Sequence, residues 1–323
     1  MRILVTGGAG FIGSNYVRKV FAGSHSGVSS ITVLDKLTYA GVKANLDEVK
    51  NQTNFRFVEG DICDFGLLLT LMSEVDAVIN FAAESHVDRS ISNAGEFVKT
   101  NIAGVQILLD AIKTSGRKIR FLQISTDEVY GTIASGSWNE NSRLLPNSPY
   151  SASKAGGELL ARAYHQTHGI DVVITRCSNN YGPNHFPEKL IPLFVTNLIE
   201  NKKVPLYGDG KNVRDWLHVD DHCLGIHSAL MNGKSGEIYN IGGGQELSNM
   251  EITNLILVAM GTDTSSINFV EDRKGHDYRY SVDWSKINRE LGFEPQVKFE
   301  DGLRDTIQWY RDNEAWWKPL KNR

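Results

Sequence analysis

Short apolar runs alternate with amphipathic stretches through the first half of the chain. Ile3–Val5, Ile31–Leu34, Phe55–Val58, Ala77–Phe81, Ile119–Ile124 and Val172–Thr175 are rich in β-branched side chains and apolar on both faces. Strands of that kind belong to a parallel sheet covered by helices on both sides. Between them, Phe97–Thr114 and Pro149–His168 carry helical periodicity. Strand-helix-strand alternation predicts an α/β protein with a doubly wound parallel sheet. After Asn179 the pattern turns irregular, punctuated by Pro183, Pro187, Pro192 and Pro205. Ile238–Ile241 still reads as a strand. Ser248-Asn249-Met250-Glu251 reads as a capping box before the apolar run Ile252–Met260. No repeat, low-complexity tract or linker interrupts the chain, so two tightly packed lobes are expected.

Composition narrows the class. A chain of 323 residues is long enough for two domains and a large core without staples. Lys and Arg total 34 against 38 Asp and Glu, so no overall charge draws it to nucleic acid or an anionic membrane. Cys63, Cys177 and Cys223 are far apart, which argues against a disulfide framework and a thiolate zinc site. No charge-free run reaches the roughly 20 apolar residues of a membrane helix. The chain opens directly on Ile3-Leu4-Val5, so no signal peptide is expected and a cytoplasmic enzyme is the default expectation. His218 and His222 share i, i+4 spacing, but Asp220 reads as a helix N-cap that separates them, so no metal is expected.

The first strand runs into Thr6-Gly7-Gly8-Ala9-Gly10-Phe11-Ile12-Gly13. Gly7 suits the tight turn, Gly10 lets backbone approach a pyrophosphate, and Gly13 lets helix pack on strand. The helix N-terminus then offers free N–H groups to the phosphates. Asp35 ends the second strand 22 residues after Gly13, the spacing of a carboxylate that binds both adenosine ribose hydroxyls. It would repel a 2′-phosphate, which favours NAD over NADP. The Gly-x-x-Gly-x-x-Gly spacing resembles the extended short-chain dehydrogenase/reductase superfamily, a Rossmann fold. Asp61-Ile62 and Asn80-Phe81-Ala82-Ala83, at the ends of later strands, fit that resemblance.

Tyr150-Ser151-Ala152-Ser153-Lys154 places a tyrosine and a lysine on one helical face, about 6 Å apart along the axis. The lysine ammonium and a nicotinamide cation are expected to lower the phenol pKa from about 10 and make it a base. Thr126, at the end of the fifth strand, holds the superfamily's orienting hydroxyl position. Asp127 and Glu128 follow it. Two carboxyls in different environments can hold different protonation states, one donating and one abstracting a proton. Elimination needs both; simple epimerisation needs neither.

Taken with Asp35–Gly41, Ala82–Ser90, Ser125–Gly131, Ser148–Lys154, Cys177–Pro183, Pro187–Pro192 and Arg214-Asp215-Trp216, these motifs resemble the dTDP-glucose 4,6-dehydratases over essentially the whole chain. The resemblance implies that Tyr150, with Thr126 and Lys154, takes the 4-hydroxyl proton as NAD oxidises C4. Glu128 would then remove the C5 proton, and Asp127 would protonate the departing 6-hydroxyl. Besides Gly7, Gly10 and Gly13, it assigns Phe11, Ile12, Asp35, Lys36, Leu37 and Thr38 to the NAD site. Asp61, Ile62, Phe81, Ala82, Ala83, Ser85, Thr100 and Asn180 would join them, with Tyr150 and Lys154. Ser85, Thr126, Asp127, Glu128, Asn179, Lys189 and Leu190 would meet the sugar nucleotide. So would Pro205, Leu206, Tyr207, Arg214, Asn249, Arg273, His276 and Tyr280. Arg214, Arg273 and Lys189 suit a diphosphate, Arg by bidentate hydrogen bonds, and Tyr207 could border the thymine.

On the same resemblance, residues 1–178 form the NAD-binding Rossmann domain, with a return segment near 212–241. Residues 179–323 are mainly a smaller C-terminal α/β lobe for the sugar nucleotide. A homodimer would pair the helices Phe97–Thr114 and Pro149–His168 with their copies. The segment Thr132–Asn147 is short, so a reduced lid or rim over the pocket is expected. Two alternatives stay open: another extended-type sugar-nucleotide enzyme, such as an epimerase or decarboxylase, and a non-catalytic NAD-binding regulator.

Overall fold

The computed structural model describes residues 1–322. Strands β1 (Arg2–Thr6), β2 (Ser30–Asp35), β3 (Phe55–Glu59), β4 (Ala77–Asn80), β5 (Arg120–Thr126) and β6 (Val172–Cys177) follow the expected apolar runs. The second half adds β7 (Asn179–Tyr181), β8 (Val204–Tyr207), β9 (Val213–His218), β10 (Ile238–Ile241), β11 (Glu246–Ser248) and β12 (Ile267–Val270). Seven strands form one parallel sheet in the order β10-β6-β5-β4-β1-β2-β3. The strand order reverses between β1 and β4, and such switch points open a ligand crevice at the carboxyl edge.

Alternation along the strands fills both faces. Ile3, Val5, Ile31, Val33 and Ile79 pack into the core on one side. Leu4, Leu34, Val78 and Phe121 pack into the core on the other. β5 extends to Thr126, two residues beyond the apolar run, because Ser125 and Thr126 still pair with Arg176 and Cys177 of β6. That pairing fixes the point at which the chain leaves the sheet for Asp127.

The helix expected over Phe97–Thr114 runs from Gly95 to Ser115 with a widened π turn at Lys99–Ala103. Helix Pro149–His168 crosses it there through Gly156 and Gly157; a Cβ on Gly157 would lie 2.3 Å from the Asn101 carbonyl. Asn101, in that turn, bonds the Glu84 backbone and the Ser153 hydroxyl. Ser148 and Ser151 form a capping box for helix Pro149–His168, and Pro149 occupies its first turn.

The smaller lobe has the three-stranded sheet β11-β9-β7 and the pair β12-β8. Helices Leu190–Ile199, Asn249–Met260 and Phe299–Asp312 share its core. The capping box expected at Ser248 and Glu251 is formed. β10 and helix Val219–Asn232 return to the large sheet, whereas β9 stays in the small lobe. The N-cap of that helix is His218, not Asp220 as the sequence suggested. The His218 Nδ1 accepts from the Asp220 N–H at 3.2 Å. The Asp220 carboxylate instead receives Asn15 and Lys19 of the first helix.

The segment Thr132–Asn147 contributes no residue to the lining of either cavity but borders the second, where Asn147 Nδ2 donates to Asp277 Oδ1 at 2.6 Å. Ile133 and Trp138 donate to the Arg279 and Ser281 carbonyls, and Leu145 to that of Val129. The first two bonds lay the segment along residues 279–281, behind Tyr280 of the cleft lining.

Candidate active site

Two confluent cavities of about 330 and 480 Å³ open along the carboxyl edge of the large sheet. Ser85, Glu128, Asn179, Asn180, Glu188 and Lys189 line both and form the seam.

The glycine loop forms the floor of the first cavity. Gly7 sits at φ +68°, and a Cβ there would meet the Ala82 nitrogen at 2.6 Å. A Cβ on Gly13 would meet the Gly7 carbonyl at 2.5 Å, so this glycine lets helix Phe11–Phe21 pack on the loop. Gly10 differs: a Cβ there would reach only the Gly7 carbonyl, at 3.2 Å. Its missing side chain keeps space open over the helix N-terminus, where no side chain caps the N–H groups. That open cradle fits a pyrophosphate. Asp35 accepts the Ala9 N–H at 2.9 Å and the Leu37 N–H at 2.8 Å, so it also braces the loop. Lys36 pairs with Asp61 at 2.8 Å. Phe11, Ile12, Thr38, Ile62, Phe81, Ala82, Ala83 and Thr100 join the same lining. Leu37 does not: at φ +54° its side chain turns into the core. Gly41 was missed; a Cβ there would strike the Asp35 carboxylate at 2.7 Å.

Thr126 ends β5 and caps the turn Asp127–Tyr130. Its hydroxyl accepts the Glu128 N–H at 3.3 Å and donates to Asp127 Oδ1 at 3.2 Å. Asp127 is buried, and its Oδ2 has no hydrogen-bond partner. Burial first, then the charges of Glu128 and Asp215, push its pKa well above the usual carboxylate range. Burial also raises Glu128, but Arg214, Lys189 and Arg273 oppose the rise. Burial thus raises both carboxyls, but nearby acids add to the rise at Asp127 whereas three cations restrain it at Glu128.

Tyr150 and Lys154 line the first cavity with Thr126 and Asp127. The expected lowering of the phenol by Lys154 is not what the protein alone provides. Burial and the Glu128 charge push Tyr150 well above 10. Lys154 donates to the Ile124 carbonyl at 2.7 Å, and burial lowers it to about 8. Beneath, Arg176 on β6 grips Glu158 of the Tyr150 helix and bonds the Tyr130 hydroxyl at 2.6 Å. This buried link ties the Asp127–Tyr130 turn to the helix that carries Tyr150.

The second cavity collects Lys189, Leu190, Pro205, Leu206, Tyr207, Arg214, Asn249, Arg273, His276 and Tyr280. Lys189 donates to the Ser85 carbonyl at 2.9 Å. Arg214 lies 4.4 Å over the Tyr280 ring and donates to the carbonyls of Val213 and Asp277. Arg273 stacks 4.9 Å over Tyr207 and faces Asp88 at 3.5 Å. Sequence reasoning passed over His86, Asp88, Arg89, Glu188 and Asp277, which complete this wall. Glu188 sits 3.6 Å from His86 and 3.2 Å from Arg89. The signals for them were the motifs Ala82–Ser90 and Pro187–Pro192, which contain the first four, and the charged run Asp272–Asp277, which ends on the fifth.

Fold and site together define an extended short-chain dehydrogenase/reductase with a Rossmann-like sheet and a second, smaller lobe. The family model for GDP-mannose 4,6 dehydratase matches residues 4–306. A dTDP-glucose 4,6-dehydratase of Actinoplanes sp. is 58% identical, covering 98% of this chain and 100% of the relative. One from Streptomyces niveus is 56% identical, covering 100% and 96%. The crystal structure of DesIV, a dTDP-glucose 4,6-dehydratase from Streptomyces venezuelae with NAD and TYD bound, superposes with a TM-score of 0.98. It is 59% identical and covers 99% of this chain and 100% of that one. The chain belongs to the GDP-mannose 4,6-dehydratase family and, within it, to the dTDP-glucose 4,6-dehydratases.

Proposed function

We propose that the cleft converts dTDP-glucose to dTDP-4-keto-6-deoxyglucose, with NAD on the glycine loop. The enzyme is an NAD-dependent dTDP-glucose 4,6-dehydratase, and the residue roles are our reading. One observation carries it: adjacent carboxyls, Asp127 in the first cavity and Glu128 lining both, sit among different charges, acids beside Asp127 and three cations beside Glu128. The proton-holding Asp127 serves as the acid, and Glu128, facing three cations, serves as the base.

NAD, when bound, supplies a hydride acceptor for C4, the same hydride for C6, and a positive ring beside Tyr150. Tyr150 takes the proton of the 4-hydroxyl, oriented by Thr126. Lys154, anchored on the Ile124 carbonyl, holds its cation one turn away. Once C4 is a ketone, the C5–H bond is acidified and Glu128 removes that proton. The C6–O bond breaks as Asp127 gives its proton to the leaving hydroxyl, releasing water. Glu128 then returns a proton to C5. Lys189, Arg214 and Arg273 hold the diphosphate, and Tyr207 borders the base. Residues 1–178 serve as the cofactor domain and 179–323 mainly as the substrate lobe, with 212–241 returning to the large sheet in part.

The test is parallel incubation with dTDP-glucose, UDP-glucose and GDP-mannose, with product masses measured. Loss of one water from dTDP-glucose alone is the expected result. A product of unchanged mass would make the site an epimerase.

We also propose a homodimer through helices Gly95–Ser115 and Pro149–His168. Val98 and Leu159 on these helices are 50% and 53% exposed, apolar surface that pairing with a second copy would cover. Light scattering of the Leu159→Glu variant checks this. Among the described residues no helix is long and apolar enough to cross a membrane. The three cysteines are free, as a reducing compartment requires, and we place the enzyme in the cytoplasm.

A further inference from the structure

Helix Val219–Asn232 carries a buried imidazole that the dehydration scheme does not use. His222 is fully buried and faces Asn180, which lines both cavities. The hydrogen bonds around Asn180 allow one arrangement only. One of its amide atoms stands 2.9 Å from the Ser178 carbonyl oxygen. A carbonyl accepts and cannot donate, so that atom is Nδ2. Oδ1 therefore faces His222 Nδ1, at 2.8 Å. An amide oxygen also only accepts, so His222 Nδ1 carries the proton. Burial keeps the ring neutral, lowering its pKa to about 3. Nε2 is then bare, and that atom is buried without a partner. Nδ2 has two N–H groups and spends one on Ser178, so one remains on a side chain that lines the cleft.

We propose that His222 is a positioning residue for the cofactor: its Nδ1–H locks the Asn180 amide and leaves the second Asn180 N–H facing the nicotinamide end of the NAD site. The proposal rests on the NAD reading above. A purely space-filling ring would have no preferred tautomer and would make no demand on Asn180. The end of the cavity is set by its neighbours, since Asn180 shares the lining with Thr126, Tyr150 and Lys154.

Two measurements on the full chain test it. The first is nitrogen NMR of the cofactor-stripped protein labelled at histidine, with His222 assigned by its absence from the His222→Asn spectrum. The Nδ1–H tautomer is expected; the Nε2–H tautomer overturns the proposal. The second is NAD affinity by calorimetry. His222→Asn places an amide N–H where Nδ1 was, whereas His222→Gln reaches the Nε2 position. Loss of one orienting hydrogen bond should weaken NAD about tenfold in His222→Gln, while His222→Asn stays within about threefold. In an Asn180→Ala background, His222→Gln should cost nothing more. Equal affinities of the two variants, both strong or both weak, overturn the proposal alone. Failure of the unaltered protein to bind NAD overturns this proposal and the cofactor reading together.

Discussion

The two cavities of the cleft are built in different ways. The cofactor half is made by backbone: strand ends, a glycine loop, a helix N-terminus and one carboxylate bonded to the loop. The substrate half is made by side chains drawn from separate segments and held by ion pairs and cation–aromatic stacks. In the first, a Cβ added at Gly7 or Gly13 would meet backbone within 2.6 Å, whereas in the second the groups are long side chains. Glu128 belongs to the seam and Asp127 adjoins it in the first cavity, and both halves supply part of the field there. Like-charged Glu128 and Asp215 act on Asp127, while Arg214, Lys189 and Arg273 from the substrate half act on Glu128.

That contrast predicts graded effects. Tyr150→Phe should have the largest, a fall in kcat of about 10³- to 10⁴-fold from loss of the proton acceptor. The variant should still copurify with NAD, as measured by absorbance of the denatured supernatant. Next comes the seam. Glu128→Gln should slow turnover about 10²- to 10³-fold while sparing oxidation at C4. A burst of NADH absorbance on mixing with dTDP-glucose checks it, and unimpaired turnover would remove Glu128 as the base. Asp127→Asn should show the same burst with slowed release of water.

In the substrate half, Arg273→Met should raise KM for dTDP-glucose about 10- to 100-fold, the worth of a charged hydrogen bond, and leave NAD affinity unchanged. A matching loss of NAD affinity would mean the two halves are not separable. In the cofactor half, Gly13→Ala and Gly10→Ala should part company. Gly13→Ala forces a Cβ to within 2.5 Å of backbone and should lower Tm by several degrees. Gly10→Ala meets a single atom at 3.2 Å, so it should fold normally and bind NAD more weakly.

The smallest effect concerns pH. His25 is buried beside Tyr16 and stacked on His227 at 4.6 Å, and among the described residues neither ring nitrogen has a side-chain partner. Burial depresses its pKa from 6.5 to about 4. The unfolded chain therefore takes up this proton first as pH falls. The associated stability is complete above about 6.5 and is lost as pH drops through 4. His25→Phe should flatten that part of the Tm-versus-pH curve, measured by calorimetry.

The cofactor half was legible in the sequence because its geometry is local. Gly7, Gly10, Gly13 and Asp35 lie on two consecutive strands and their loops, so spacing alone brings them together. Leu37 was the exception, since only the positive φ after β2 shows that its side chain turns inward. The substrate half was legible only through family resemblance. Residues 85–89, 187–190, 205–207, 214 and 273–280 meet because two small sheets fold back over the large one, and no local pattern encodes that. For Tyr150, the chain without its cofactor supplies only part of what spacing suggested. Helical spacing places Lys154 one turn from the phenol, but the ammonium turns to the Ile124 carbonyl, and burial sets the phenol's pKa.

The sequence by itself determined the sheet, the glycine loop, the capped Tyr150 helix and the adjacency of Asp127 and Glu128, all features set within a few turns or strands of chain. Only the tertiary structure decided which charges surround each of the two acids, which cations gather beside Glu128, and how His222 meets Asn180. Those outcomes depend on electrostatic fields and burial created by segments distant in the chain, and such fields exist only once the lobes have closed on one another.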